Sequence, residues 1–325
     1  MNDNSNHVLM EVQDLKTWFT VNGEKVLALD GVSFQLREGE ILGVVGESGC
    51  GKSTLGRTIL RLEQKTGGSV LYRGKDPFSL AKDDLKSFRR QTSMVFQDPS
   101  SSLNPRKRVD QILRQPLRVH SLGEPAEWND RINSILQETG IAPQYRNRYP
   151  HQFSGGQKQR IGVARSLMLD PDFIVMDEAV SALDVSIQAQ ILNLLLDLKD
   201  KRNLTYLFIS HDLGVVEFVS DRILVMYLGR IVEEAPTVIL TGKPSHPYTQ
   251  ALLKAFPTTD LATRGSSISP LEGDVPSPIH PPSGCHFSPR CPQVMDRCRE
   301  EYPPLREIEN GHRVACWLYQ GKTSH

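Results

Sequence analysis

The sequence predicts an α/β fold: a P-loop core that carries a helical subdomain and ends in an irregular, Cys-rich arm. Three observations predict it. Short apolar runs alternate with amphipathic helical patterns up to about residue 255. A phosphate-binding loop lies between one such run and a helix. Downstream the periodicity fades, and prolines and cysteines gather.

The apolar runs Ile41–Val45, Ser93–Phe96, Phe173–Met176, Tyr206–Ile209 and Arg222–Met226 are of buried-strand length. Nearly continuous apolar strands suit a parallel sheet covered on both faces. Helical patterns separate them, as in Gln157–Leu169 and Ile187–Leu198, and such alternation predicts an α/β architecture. From about Pro99 to Gln152 there is no good strand. Two helices near Val109–His120 and Glu127–Thr139, joined by a Gly-Glu-Pro turn, make an inserted helical subdomain over about residues 99–168. Beyond Phe256 the chain is punctuated by Pro270, Pro276, Pro278, Pro281 and Pro282, which predicts an irregular extension over 256–325.

Lys+Arg and Asp+Glu are 38 each in 325 residues, so no global field recruits nucleic acid or acidic lipid. No apolar run approaches the ~20 residues that cross a bilayer. The polar stretch Met1–His7 has neither the basic nor the apolar region of a signal peptide. These features predict a cytoplasmic protein, where a cysteine cluster reads as a metal site before it reads as disulfides.

Gly46-Glu47-Ser48-Gly49-Cys50-Gly51-Lys52-Ser53 matches the pattern G-x-x-x-x-G-K-[ST], with the strand Ile41–Val45 before it and a helix over Thr54–Leu62 after it. The glycines let the backbone curl so that N–H groups point at phosphate oxygens, and the helix N-terminus adds partial positive charge. Lys52 reaches the β- and γ-phosphates, and Ser53 offers a hydroxyl to Mg²⁺. Cys50 reads as a tolerated small residue whose thiol pKa the helix N-terminus would lower.

Phe173-Ile-Val-Met-Asp177-Glu178 is an apolar strand ending in two carboxylates. Alone, such a pair reads as a solvated strand end. Beside a P-loop, Asp177 is expected to hold Mg²⁺ directly or through water, and Glu178 to orient or deprotonate the attacking water.

Phe153-Ser154-Gly155-Gly156-Gln157-Lys-Gln-Arg160, taken with these two elements, resembles the signature of ABC-type ATPases. The resemblance spans about residues 8–255, with six elements in the family's order. It implies that Phe19 stacks on adenine, with Trp18 as the rival and plain core packing as the alternative for either. It implies that Gln97, in Val-Phe-Gln-Asp-Pro, touches Mg²⁺ and senses a membrane partner. Ser181-Ala-Leu-Asp184 resembles the loop that runs between two ATPase subunits, and His211 matches the histidine that contacts the γ-phosphate. Ser154, Gly155 and Gly156 precede a helix and so present N–H groups to an anion. Thr54 and Gln157 complete the expected nucleotide contacts. A second anion cradle on one chain makes sense if it closes on a partner's ATP. Two departures stand out: Phe153 where Leu is commoner, and Ala179-Val180 in place of Pro-Thr, which is expected to loosen the turn toward Ser181.

A single P-loop and a compact helical insertion separate this chain from fused translation-associated and coiled-coil DNA-repair members, though a soluble role in translation or DNA maintenance stays the alternative. His246-Pro-Tyr-Thr-Gln-Ala-Leu-Leu253 and the Cys-rich arm resemble the oligopeptide/dipeptide importer ATPases, of the dipeptide type. That implies a second ATPase subunit in a heterodimer, two permease subunits, an extracytoplasmic binding protein, and a place on the cytoplasmic membrane face. Nickel, glutathione or oligosaccharide substrates stay open.

Cys285, Cys291, Cys298 and Cys316 are separated by five, six and seventeen residues. Four thiolates can complete a site for a [4Fe–4S] cluster or zinc. The C-x₂₋₄-C pairs usual for structural zinc are missing, and the resemblance implies the cluster; reduced, unliganded cysteines are the third reading. His286 and His312 are substitute ligands or solvated loop residues.

Overall fold

A computed structural model describes residues 7–255, 273–309 and 311–319. Phe256, Pro270, most of Met1–His7 and the rest of 256–272 lie outside them. In chain order come β1 (Val8–Val21), β2 (Glu24–Arg37), β3 (Ile41–Val45), α1 (Lys52–Ile59), β4 (Gly67–Tyr72), α2 (Lys82–Gln91) and β5 (Thr92–Val95). Next are α3 (Pro99–Ser102), α4 (Val109–His120), α5 (Trp128–Glu138), α6 (Gly155–Leu167), β6 (Phe173–Asp177), α7 (Val185–Arg202) and β7 (Thr205–Ile209). Then follow α8 (Leu213–Val219), β8 (Arg222–Tyr227), β9 (Arg230–Pro236), α9 (Thr237–Gly242) and α10 (Pro247–Lys254). The arm contributes α11 (Asp296–Glu300), β10 (Arg306–Glu309) and β11 (His312–Val314).

The chain divides into two compact units, one built mainly from Tyr72–Ile209 and the other from Met10–Gln35, Leu42–Leu71 and Ser210 onward. In the first, β5, β6 and β7 run parallel, with Asp177 in register with Ile209. Every residue of β6 and β7 is buried, which explains why both read as uninterrupted apolar runs. The helical subdomain forms where expected. On α4, Val109, Ile112, Leu113 and Leu117 are buried, and on α5, Trp128, Ile132, Ile135 and Leu136 are; both sets follow the spacing of one apolar helix stripe.

In the second unit, β3 pairs parallel with β8, and β9 runs antiparallel to β8. A separate three-stranded sheet has the order β2-β1-β4. Its strands escape the sequence reading because their buried positions alternate with exposed ones, so no continuous apolar run marks them. The expectation of an arm without regular structure is corrected: β10 pairs with β11, and β11 adds to β9 through Arg313↔Glu234 and Val314↔Glu233. The described arm belongs to the same unit as the P-loop.

Candidate functional site: a phosphate cradle, a signature helix end and a cysteine-lined cavity

The P-loop leads from buried β3 into α1, and its turn depends on Gly51. That residue caps α1 at φ 103, where an added Cβ would run into the backbone carbonyl oxygen of Ala28. Only glycine meets both demands. Lys52 is buried, and its ammonium donates to the carbonyls of Gly46 at 2.8 Å and Glu47 at 3.1 Å. Ser48 and Gly49 are exposed at the loop crest, while Ser53 and Thr54 are half-buried at the start of the helix. The expected low pKa of Cys50 is corrected. The thiol is buried, and that burial raises its pKa despite the Lys52 charge beside it.

On β1, Thr17 turns inward, its hydroxyl 3.2 Å from that of Thr58 on α1. Phe19, two residues on, shares that face and is half-buried. Trp18 faces the other way, with the ammonium of Lys25 lying 3.2 Å from its ring centroid. That cation covers one face of the Trp18 ring.

In the first unit, Asp177 is buried as the last residue of β6, and Glu178 follows at φ 47. A non-glycine residue in that left-handed region is strained and needs outside support. The Glu178 N–H donates to Ile209 O at 2.9 Å. The Ser181 hydroxyl donates to Glu178 O at 2.9 Å, and the Gln97 amide donates to Glu178 Oε2 at 2.9 Å. The turn after Glu178 is not loosened: Ala179 and Val180 are both buried, and the Leu183 N–H closes on Val180 O at 3.2 Å. Asp184 is the N-cap of α7, accepting from the Ile187 N–H at 2.9 Å. That bond and one from Ser186 hold its carboxyl below the usual range.

Ser154 caps α6 with a reciprocal pair of bonds. The Gln157 N–H donates to its hydroxyl at 3.3 Å, and its own N–H donates to Gln157 Oε1 at 3.0 Å. Such a capping box orders the helix start. Ser154, Gly155 and Gln157 are exposed. Gly156 is buried, and an added Cβ would run into Ile187 of α7. Phe153 is buried, which explains how the larger ring is accommodated. In the second unit, His211 is exposed just before α8, whose N-cap Asp212 accepts from the Gly214 N–H at 2.9 Å.

Cys285, Cys291, Cys298 and Cys316 line one small cavity, all as free thiols. Burial pushes the Cys285 thiol up to about 11 and that of Cys316 up to about 12. Among the described residues, no group of three His, Cys, Asp or Glu side chains is placed to hold a metal ion. The two histidines are not solvated loop residues: both are buried. His286 Nδ1 donates to Leu228 O at 3.1 Å, and His312 Nε2 pairs with Glu233 Oε1 at 2.7 Å.

Sequence reasoning missed the residues that hold the P-loop from the C-terminal side. The signal was the His-Pro-Tyr segment: His246 caps α10 by accepting the Tyr248 N–H at 3.0 Å, with Pro247 at the first helical position. The cap presents the Tyr248 hydroxyl to the Glu47 N–H at 2.9 Å.

A family model described as ABC transporter matches residues 29–181. A second, described as the oligopeptide/dipeptide transporter C-terminal region, matches residues 232–298. The chain is 50% identical over 316 residues to YkfD of Bacillus subtilis strain 168, a protein named for oligopeptide transport, with 96% of each chain covered. It is 48% identical over 322 residues to the oligopeptide transport ATP-binding protein AppF of the same strain, covering 96% of this chain and 97% of that one. The dimeric bacterial ABC transporter cassette MJ0796 matches with a TM-score of 0.63 at 28% identity, over 70% of this chain and 98% of that one. The fold is also that of cbiO1 from Clostridium perfringens, with a TM-score of 0.64 at 24% identity over 73% and 91% of the two chains. With a P-loop, a carboxylate strand end and a capped signature helix on one chain, and relatives that match it along nearly its whole length, the protein belongs to the ABC transporter ATP-binding subunits of the oligopeptide/dipeptide group and is an ATPase.

Proposed function

We propose that this chain powers a peptide importer from the cytoplasmic face of the membrane, paired with a second, related ATPase beneath two permease subunits that an extracytoplasmic binding protein supplies. The observation that carries the reading is the capped but exposed helix end at Ser154 and Gly155. It is a second anion site on a chain that already has a P-loop, and it fits the phosphates of a partner's ATP. Among the described residues no helix is long and apolar enough to cross a membrane, so translocation requires other subunits. A groove in the helical subdomain, lined by Ile112, Pro116, Val119 and Arg165, has the mixed character that suits a permease helix.

In this reading the P-loop N–H groups, Thr54 and Lys52 hold the phosphates, and Phe19 stacks on adenine. The ligands offered to Mg²⁺ are hard oxygens, from Ser53, Gln97 and Asp177, and that donor set fits the ion. Mg²⁺ would supply charge neutralisation at the phosphates. Glu178 orients the attacking water and takes its proton, Gln97 and Ser181 keep Glu178 in its strained conformation, and His211 contacts the γ-phosphate. Asp184 positions the loop that faces the partner subunit.

We assign the cysteine-lined cavity to a [4Fe–4S] cluster. Four thiols that line one cavity supply the ligand count such a cluster takes. The cluster would staple an arm of little hydrophobic periodicity to the core; no step of ATP hydrolysis needs it.

Reconstitution tests the transport reading. Proteoliposomes holding the assembled transporter are expected to take up a labelled di- or oligopeptide only with ATP inside, and Lys52→Ala in this chain is expected to abolish uptake. Co-sedimentation with ribosomes or nucleic acid, without peptide-stimulated ATPase, would favour a soluble role instead.

A further inference from the structure

Glu47 is an awkward residue in a phosphate cradle. The loop collects N–H groups and Lys52 around a polyanion, and a free carboxylate within it repels the ligand. The structure holds this residue at three points from within its own unit. Arg290 of the arm forks onto the carboxylate, Nη1 to Oε2 at 2.8 Å and Nη2 to Oε1 at 3.1 Å, so both oxygens are engaged. The Glu47 N–H donates to the Tyr248 hydroxyl at 2.9 Å, and its carbonyl accepts from Lys52 at 3.1 Å.

The holders are themselves rigid. The Arg290 side chain is 5% exposed and also donates to the Tyr227 hydroxyl at 3.4 Å. Tyr227, Tyr248 and Phe287 pack ring on ring, with centroids 4.7 to 5.4 Å apart. The Phe287 carbonyl accepts the Arg290 N–H at 3.0 Å, so one short turn carries both the guanidinium and the ring that packs on the tyrosines. A bidentate arginine fork fixes both position and charge, which an ammonium cannot do.

We propose that Arg290 is a positioning residue for nucleotide binding: it neutralises Glu47 and draws the carboxylate away from the phosphates, so that the C-terminal arm sets the charge and shape of the P-loop. This rests on the P-loop being the nucleotide cradle. The arm is then part of the ATP-binding apparatus, and changes around the neighbouring Cys291 reach the loop through Arg290.

The test is a double-substitution cycle in the full chain, read by titration with a fluorescent ATP analogue and Mg²⁺, with thermal melting as the folding check. Arg290→Ala is expected to weaken binding about tenfold or more, and Arg290→Lys less, because it keeps charge but loses the fork. Glu47→Gln alone sets the reference for the cycle, so the proposal is read from the coupling between the two substitutions. Adding Glu47→Gln to Arg290→Ala is expected to recover most of the loss, since the charge that needed neutralising is gone. An arginine that only tethers the arm would lower the melting temperature and leave affinity within twofold, and the double variant would show no recovery; either affinity result overturns the proposal. Lys52→Ala separates the layers. Wild-type affinity there overturns the cradle and the clamp together, whereas loss there with full affinity in Arg290→Ala overturns the clamp alone.

Discussion

The amide of Gln97 donates to the carboxylate of Glu178 at 2.9 Å, and Glu178 sits at φ 47. A strained backbone held by side-chain bonds is what aiming a general base requires. Glu178→Gln is expected to lower ATP turnover by about 10²–10⁴-fold, the range for a lost general base, while ATP binding persists. Gln97→Ala is expected to cost less, because it frees the base without removing it. Single-turnover hydrolysis beside ATP-binding titrations checks both; turnover of Glu178→Gln close to wild type would remove Glu178 from its role.

Gly156 and Ile187 fix the approach of α6 to α7. Gly156→Ala is expected to destabilise the protein by about 1–3 kcal/mol, the usual cost of overpacking. Combining it with Ile187→Ala is expected to recover part of that loss, because the clash is relieved at the expense of a smaller contact. Chemical denaturation of the single and double variants measures the coupling.

His246 makes the link between α10 and the P-loop sensitive to acid. Burial lowers its pKa from 6.5 to about 4, with the nearby Glu233 carboxylate opposing the shift. Its Nδ1 accepts the Tyr248 N–H, so the cap needs the neutral ring. Because the folded pKa is depressed, the unfolded chain binds the extra proton first. Stability is therefore complete above pH 6.5 and falls as pH drops toward 4, by up to about 3 kcal/mol from this group. His246→Asn keeps a capping oxygen and is expected to flatten that part of the pH–stability curve, measured by denaturant midpoints from pH 7.5 to 4.5.

Anaerobic purification tests the assignment of the cysteine cavity. A brown protein with about four irons per chain, losing its colour in Cys298→Ser, is expected. Iron-free protein with a fully folded arm would contradict the cluster.

Local chemistry was legible in the sequence and long-range chemistry was not. The P-loop, the Asp177-Glu178 strand end and the Ser154 cap are contiguous segments whose residue types declare their backbone geometry. Helix α4 spans Val109–His120 as its apolar spacing predicts. Strands β1 and β2 carry alternating, half-polar patterns, and β11 is three residues long, too short for any period to show. The Arg290–Glu47 pair spans 243 positions and belongs to no motif; only the folded chain brings it together. The arm therefore read as an appendage, whereas it grips the P-loop.

The central claim is that one chain carries half of each of two ATP sites. Light scattering on Glu178→Gln chain mixed with the second ATPase subunit tests it most directly. In Mg-ATP the account predicts a two-ATPase assembly that disperses in ADP and fails to form when Ser154 is replaced by arginine. A Glu178→Gln chain that stays monomeric with its partner in Mg-ATP, beside a wild-type chain whose hydrolysis rate per chain is independent of concentration, would contradict it.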